Sequence, residues 1–243
     1  MIDRGRRRLL AGLGLAGAVG VAGCVGGDEN GNGEEGTGNG DDGNDEENGN
    51  GEAGELHPRY GYASTSMDEE QPVEHDHTVR LLMESQEVGP PVFYFEPAGI
   101  AVEQGDVIRF EFRSPDHSVA AFHKGFGRTH RAPEDAESVS SPMMEIGTYW
   151  LCEFVETGVW DLYCPPHEFV GMGMRVVVEE ATGPATEPAD PDPDPEDVDQ
   201  EGFARPPEQE LAETFNAEAL DPENILEQGE VPWEDVADRE EAE

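Results

Sequence analysis

Cys164, His167 and Met172 bring a thiol, an imidazole and a thioether together within nine residues, in the order Cys-x2-His-x4-Met. Such a mixed sulfur and nitrogen set suits copper. One cysteine and two histidines in a trigonal arrangement, with a long axial methionine, support one-electron chemistry at that metal. The second imidazole has to come from elsewhere. His117, in Pro115-Asp116-His117-Ser118-Val119, and His123 both follow an extended run that ends at Phe112. The His-x-Val context favours His117. Met174 competes with Met172 for the axial position; the x4 spacing favours Met172, and the alternation of Met174 with Val176 and Val178 reads as core.

Three donors therefore sit on one loop and the fourth arrives from a distant strand, so a folded scaffold must assemble the set. The sequence supplies strands for it. Val79, Leu81 and Met83 alternate with other residues, and Ile108, Phe110 and Phe112 alternate with Val107, Arg109 and Glu111. Val92–Phe95, Ile100–Val102, Tyr149–Val155, Gly158–Tyr163 and Met174–Val178 read as further short strands, punctuated by Gly89-Pro90-Pro91, Gly105-Asp106 and Glu156-Thr157-Gly158. Many short strands between glycines and prolines, with no convincing helix, predict an all-β antiparallel sandwich or barrel over residues 77–180.

These residues resemble the cupredoxins, the type 1 blue copper proteins, and among them plastocyanin, pseudoazurin and the halocyanin type. The resemblance spans roughly residues 78–180 and neither terminus. It is carried by Phe95-Glu96-Pro97, by Ile100 and Val102 before Gly105-Asp106-Val107-Ile108-Arg109-Phe110, by His117-Ser118-Val119, and by Gly158-Val159-Trp160-Asp161-Leu162-Tyr163-Cys164 leading into the loop. It implies a Greek-key β-sandwich holding one copper ion that cycles between Cu(I) and Cu(II). The implied ligands are His117, Cys164, His167 and Met172. It also implies that the ring edge of His167 reaches the surface as the electron exit. In the family, backbone amides bond the cysteine sulfur. Pro166 has no N–H to give, so the Ser118 amide is expected to remain alone, leaving an electron-rich thiolate and a lowered potential. Ser118 stands where the family often has asparagine.

The termini read differently. Residues 1–24 form an export signal. Arg6-Arg7 resembles a twin-arginine motif, an apolar run from Leu9 to Val21 is too short to span a membrane, and Val21-Ala22-Gly23-Cys24 resembles a lipobox with Cys24 as the lipidated residue. Residues 25–76 are expected to be a flexible acidic linker rich in Gly and Asn, and residues 181–243 an acidic, proline-rich tail that is mostly disordered, with at most a transient helix over 208–220. Together these are expected to place the domain outside the cytoplasm, anchored to the cell membrane through Cys24; the cupredoxin resemblance implies redox proteins as its partners.

The net charge of −42, from 56 acidic and 14 basic residues, excludes nucleic acid as a partner, because phosphate contacts need Lys and Arg. Its spread over linker, domain and tail fits solubility in very high salt. A disulfide between Cys152 and Cys164 would leave His117, His167 and Met172 without a purpose, so Cys152 is expected to be a buried free thiol. His57, His75, His77 and His130 are expected to be solvated; a second metal site is the alternative. Copper oxidases and nitrite reductases need additional histidine clusters and a further domain, so no enzyme is expected. The competing function is copper binding or delivery without a redox partner.

Overall fold

A computed structural model describes residues 55–194 and 204–237. The predicted signal, Cys24 and the linker up to residue 54 lie outside the described residues. Among the described residues, ten strands make two five-stranded sheets: β1 (Tyr62–Ala63), β2 (His77–Glu84), β3 (Val92–Glu96), β4 (Gly99–Val102), β5 (Asp106–Phe112), β6 (Ala120–Ala121), β7 (Thr148–Phe154), β8 (Gly158–Tyr163), β9 (Gly173–Val178) and, after helices α1 (Gln209–Phe215) and α2 (Pro222–Gln228), β10 (Glu230–Val231). A last helix, α3, covers Trp233–Ala237. Among the described residues, no helix is long and apolar enough to cross a membrane.

The first sheet runs β1-β7-β5-β2-β3 and the second β10-β4-β9-β8-β6. Ile108, Phe110 and Phe112 of β5 point between the sheets, as their alternation predicts, and are fully buried with Phe95, Trp150, Phe154 and Met174. The pairing is not purely antiparallel. β2 lies parallel to β5, with Val79 opposite Phe110, and β4 lies parallel to β9, with Ile100 opposite Val176. The chain crosses from the first sheet to the second between β3 and β4 and returns for β5. That crossover brings β5 alongside β2 in the same direction.

Two stretches assigned to linker and tail are part of this fold. Residues 55–76 carry no hydrophobic period, yet Leu56, Tyr62, Met67 and Val73 pack on Val107, Tyr149 and Leu151, covering the outer face of the first sheet. β1 pairs with β7, and Tyr60 accepts a hydrogen bond from Trp150 Nε1 at 2.7 Å. Single apolar side chains on irregular backbone do this work, and they leave no repeating pattern to read.

The C-terminal segment departs further from expectation. α1 buries Leu211, Ala212 and Phe215 against Ala120, Phe122 and Tyr163. Leu220, Ile225, Val231 and Val236 cover Ala98, Val159 and Val177, while β10 pairs with the edge of β4 and Trp233 stacks on Tyr94. Burying each large aliphatic or aromatic side chain contributes about 1.5–3 kcal/mol toward holding the segment in place. The outer face of the second sheet is apolar and needs this cover. One buried carboxylate also binds the segment: Asp161 of β8 accepts from Arg131 Nε at 2.7 Å and from Arg175 Nε at 2.8 Å. Arg131 also donates to the carbonyls of Ala185 and Glu187, and Arg175 to that of Leu220.

Candidate metal centre

Strand register brings the loop donors together. β8 ends at Tyr163, opposite Gly173 at the start of β9. Cys164 N–H then donates to Met172 O at 3.0 Å and Met172 N–H to His167 O at 3.2 Å, closing the loop on itself. Between them, Pro165–Val170 forms a 3-10 turn that is kinked at His167. His117 enters from the connection after β5, pinned by a bond from Met144 N–H to its carbonyl at 3.0 Å. Nδ1 of His117 lies 3.6 Å from Cys164 Sγ and Nδ1 of His167 lies 3.4 Å from it. The donor atoms of these three residues all fall within 4.8 Å of one another.

His117, Cys164 and Met172 are fully buried, and His167 is half-buried. Met172 packs in the same core cluster as Cys164. Met174 lies two residues down β9, opposite Leu162 and within the core. His123 is occupied elsewhere: its Nδ1 accepts from Gly125 N–H at 2.8 Å, so its Nε2 carries the proton given to Ala136 O at 3.1 Å. His57 accepts from the Arg59 and Tyr60 amides, His75 meets Gln71 and His77 meets Asp106. Cys152 is a buried free thiol, as is Cys164.

The electrostatics suit a cation that takes neutral imidazoles. Burial, reinforced by neighbouring His167, pushes His117 down to about 4; burial also lowers His167, against the pull of Asp116. Both rings are therefore uncharged at neutral pH, with lone pairs to offer. Burial pushes the Cys164 thiol up to about 12, opposed by the backbone amides of Ser118 and His167. The metal-free site thus keeps a proton on sulfur, and a soft cation has to displace it. A thiol, two neutral imidazoles and a buried thioether fit copper, which supplies reversible one-electron oxidation and reduction when bound.

Pro166, the second residue of the turn, has no N–H to give the sulfur, and the next amide, that of His167, donates to the Cys164 carbonyl at 2.9 Å. The Ser118 and His167 amides both favour the charged sulfur against burial.

Three contributors escaped the sequence reading. Ser114 Oγ lies 2.7 Å from His117 Nε2 and 3.4 Å from Leu81 O. With its hydroxyl proton directed at Leu81, Ser114 accepts the Nε2 proton and leaves Nδ1 free on the side of Cys164. Ser114→Ala is expected to weaken copper binding by about 10- to 100-fold in a chelator competition, with the fold retained; unchanged affinity would show that this contact does not set the tautomer. Phe93 of β3 stacks on His167 with ring centroids 3.8 Å apart and 13° between planes. Glu168, next to His167, is buried with Arg128. An aromatic in a strand and an acid in a loop carry no mark that would set them apart from other aromatics and acids in this chain.

Residues 84–179 match the family model described as copper binding proteins, plastocyanin/azurin family. Among solved structures, the chain is similar to the pseudoazurin from Sinorhizobium meliltoi, at 27% identity over 45% of this chain and 77% of that one, with a TM-score of 0.35. It is also similar to the pseudoazurin from Methylobacterium extorquens AM1, at 22% identity over 63% and 96% with a TM-score of 0.34. An oxidised point mutant of amicyanin matches at 20% identity over 47% and 90%, with a TM-score of 0.34. No curated protein matches the chain. The family match spans both β8 and the loop that follows it, and the donors converge where copper needs them: residues 84–179 of this chain form a copper-binding domain of the plastocyanin/azurin family, the cupredoxins.

Proposed function

We propose that this protein is a one-electron carrier whose copper is held by His117, Cys164, His167 and Met172, and that Cys24 tethers it to the outer face of the cell membrane. The observation that carries this reading is the unequal burial of the donors. His117, Cys164 and Met172 are sealed in the core, while His167 alone reaches toward solvent. A buried, prearranged set changes little between oxidation states and releases its metal slowly, which serves electron transfer better than metal delivery. Around His167 the loop exposes Phe169 and Val170, and the segment that pins His117 exposes Met143 and Ile146. Apolar side chains at this end suit a partner that docks over the His167 ring edge. In molar salt, where the Debye length is about 3 Å, such contacts would decide recognition and long-range steering would be weak.

The tether rests on the arginine pair, the lipobox-like Val21-Ala22-Gly23-Cys24 and the long glycine-rich acidic stretch after it. Copper-loaded protein should show intense visible absorption that reductant bleaches and oxidant restores, and it should keep its copper for hours against a chelator. A weak band together with rapid copper loss would instead identify a delivery protein. Mass spectrometry of the membrane fraction tests the tether through a diacylglyceryl adduct on Cys24.

A further inference from the structure

We infer that Glu168 is a positioning residue for the copper loop, gripped by Arg128 and Arg205, and that the C-terminal segment serves the site through it. This rests on the copper assignment above. The loop inverts the usual order of burial: Phe169 and Val170 face solvent while Glu168, between them and His167, is buried. A carboxylate is costly to bury unless its oxygens are satisfied. Here both are. Arg128 reaches it as a fork, Nη1 to Oε1 at 2.7 Å and Nη2 to Oε2 at 2.5 Å, and Arg205 also donates to Oε2. Such a pair fixes a plane as well as a distance.

The arginines are themselves held. The Arg128 guanidinium lies 5.2 Å from the Phe122 ring centroid and 5.1 Å from that of Tyr163, the residue before Cys164. Arg205 N–H donates to Gly127 O at 2.8 Å, and Thr129 N–H donates to Arg205 O at 3.1 Å. Farther along, Thr214 Oγ1 donates to Gly171 O at 2.9 Å. A Cβ on Gly171, whose φ is +77°, would lie 2.9 Å from Glu210 O, and one on Gly173 would lie 2.6 Å from Leu211 Cδ1. The loop is thus held at 168, 171 and 173, on either side of Met172 and directly after the kinked backbone of His167. Fixing the Glu168 plane fixes where the His167 ring starts from.

The test separates positioning from ordinary stabilisation. Glu168→Gln keeps shape and loses charge; Arg128→Lys keeps charge and loses the fork. Val107→Ala, on the outer face of the first sheet, is a comparison that lowers stability away from both the loop and the C-terminal segment. In metal-free protein, amide hydrogen exchange over residues 167–172 should quicken about tenfold in the first two variants relative to the rest of the domain, and not in Val107→Ala. In copper-loaded protein, the first two should shift the intensity ratio of the visible bands and the copper hyperfine splitting in the same direction, with Val107→Ala matching wild type. Should either loop variant fail to fold, Arg205→Ala, which removes one half-exposed arm, should give the same changes at smaller size. Loop exchange and spectra unchanged, with only the melting temperature lowered, would overturn the proposal. A wild-type protein without the visible band would instead overturn the copper assignment, while the metal-free exchange still reports on the clamp.

Discussion

Cys164→Ala is expected to abolish the intense visible absorption and to lower copper affinity by orders of magnitude. The thiolate is the only anionic donor in the cluster, and two neutral imidazoles with a thioether cannot replace its charge or its covalency. The fold should survive. Cys164 is buried, but its sulfur makes no hydrogen bond that holds strands together, so the cost is that of a small void, about 1 kcal/mol. Two measurements separate loss of ligand from loss of structure. Excess copper should raise the melting temperature of the wild type, by the equivalent of about 4 kcal/mol at a thousandfold excess over Kd, and leave that of the variant unmoved. His117→Ala should do the same, since Nδ1 of His117 lies 3.6 Å from the sulfur. A visible band retained in either variant would sink the ligand assignment.

The second large effect lies away from the metal. Asp161→Asn is expected to cost about 3–5 kcal/mol, because it leaves two buried guanidinium groups without a carboxylate. For a folded unit of this size that is a fall in melting temperature of roughly 10 °C or more. The loss should also loosen the C-terminal segment, since Arg175 holds the Leu220 carbonyl and Arg131 the carbonyls of Ala185 and Glu187. Limited proteolysis should then cut between residues 185 and 221 well before it cuts the sandwich. Replacing all three residues at once, Asp161→Leu with Arg131→Met and Arg175→Met, should recover part of the loss, because no buried charge is left unpaired, but not all of it, because the carbonyls of Ala185, Glu187 and Leu220 lose their donors. A single variant within about 0.5 kcal/mol of wild type would show that the triad contributes nothing net.

Asp161 also shows why part of this fold was hidden in the sequence. On β8 it reads as the polar half of an alternating strand, Val159, Asp161 and Tyr163 facing out against Trp160 and Leu162. The outward face is buried all the same, because a segment some forty residues later covers it. Alternation shows that a strand has two faces; it does not say whether the second is wet. The sheet-forming stretches and the strand-to-loop position of Cys164 were legible because each depends on neighbours along the chain. The parallel pairing of β2 with β5 was not, because it depends on where the chain crosses between sheets.

By itself, then, the sequence determined the chemistry of the loop and the strands on either side of it. A cysteine, a histidine and a methionine at a fixed short spacing have few other uses, and period-2 alternation is a local property. Only the tertiary structure decided which distant histidine joins them, because Ser114 and Met144 hold His117 while His123 commits both nitrogens to Gly125 and Ala136. It likewise decided that the His167 amide turns back onto the Cys164 carbonyl, that Phe93 stacks on His167, and that Glu168 faces inward. Each of these is a contact between residues far apart in the chain, or a turn geometry that re-aims an amide, and residue type and spacing encode neither.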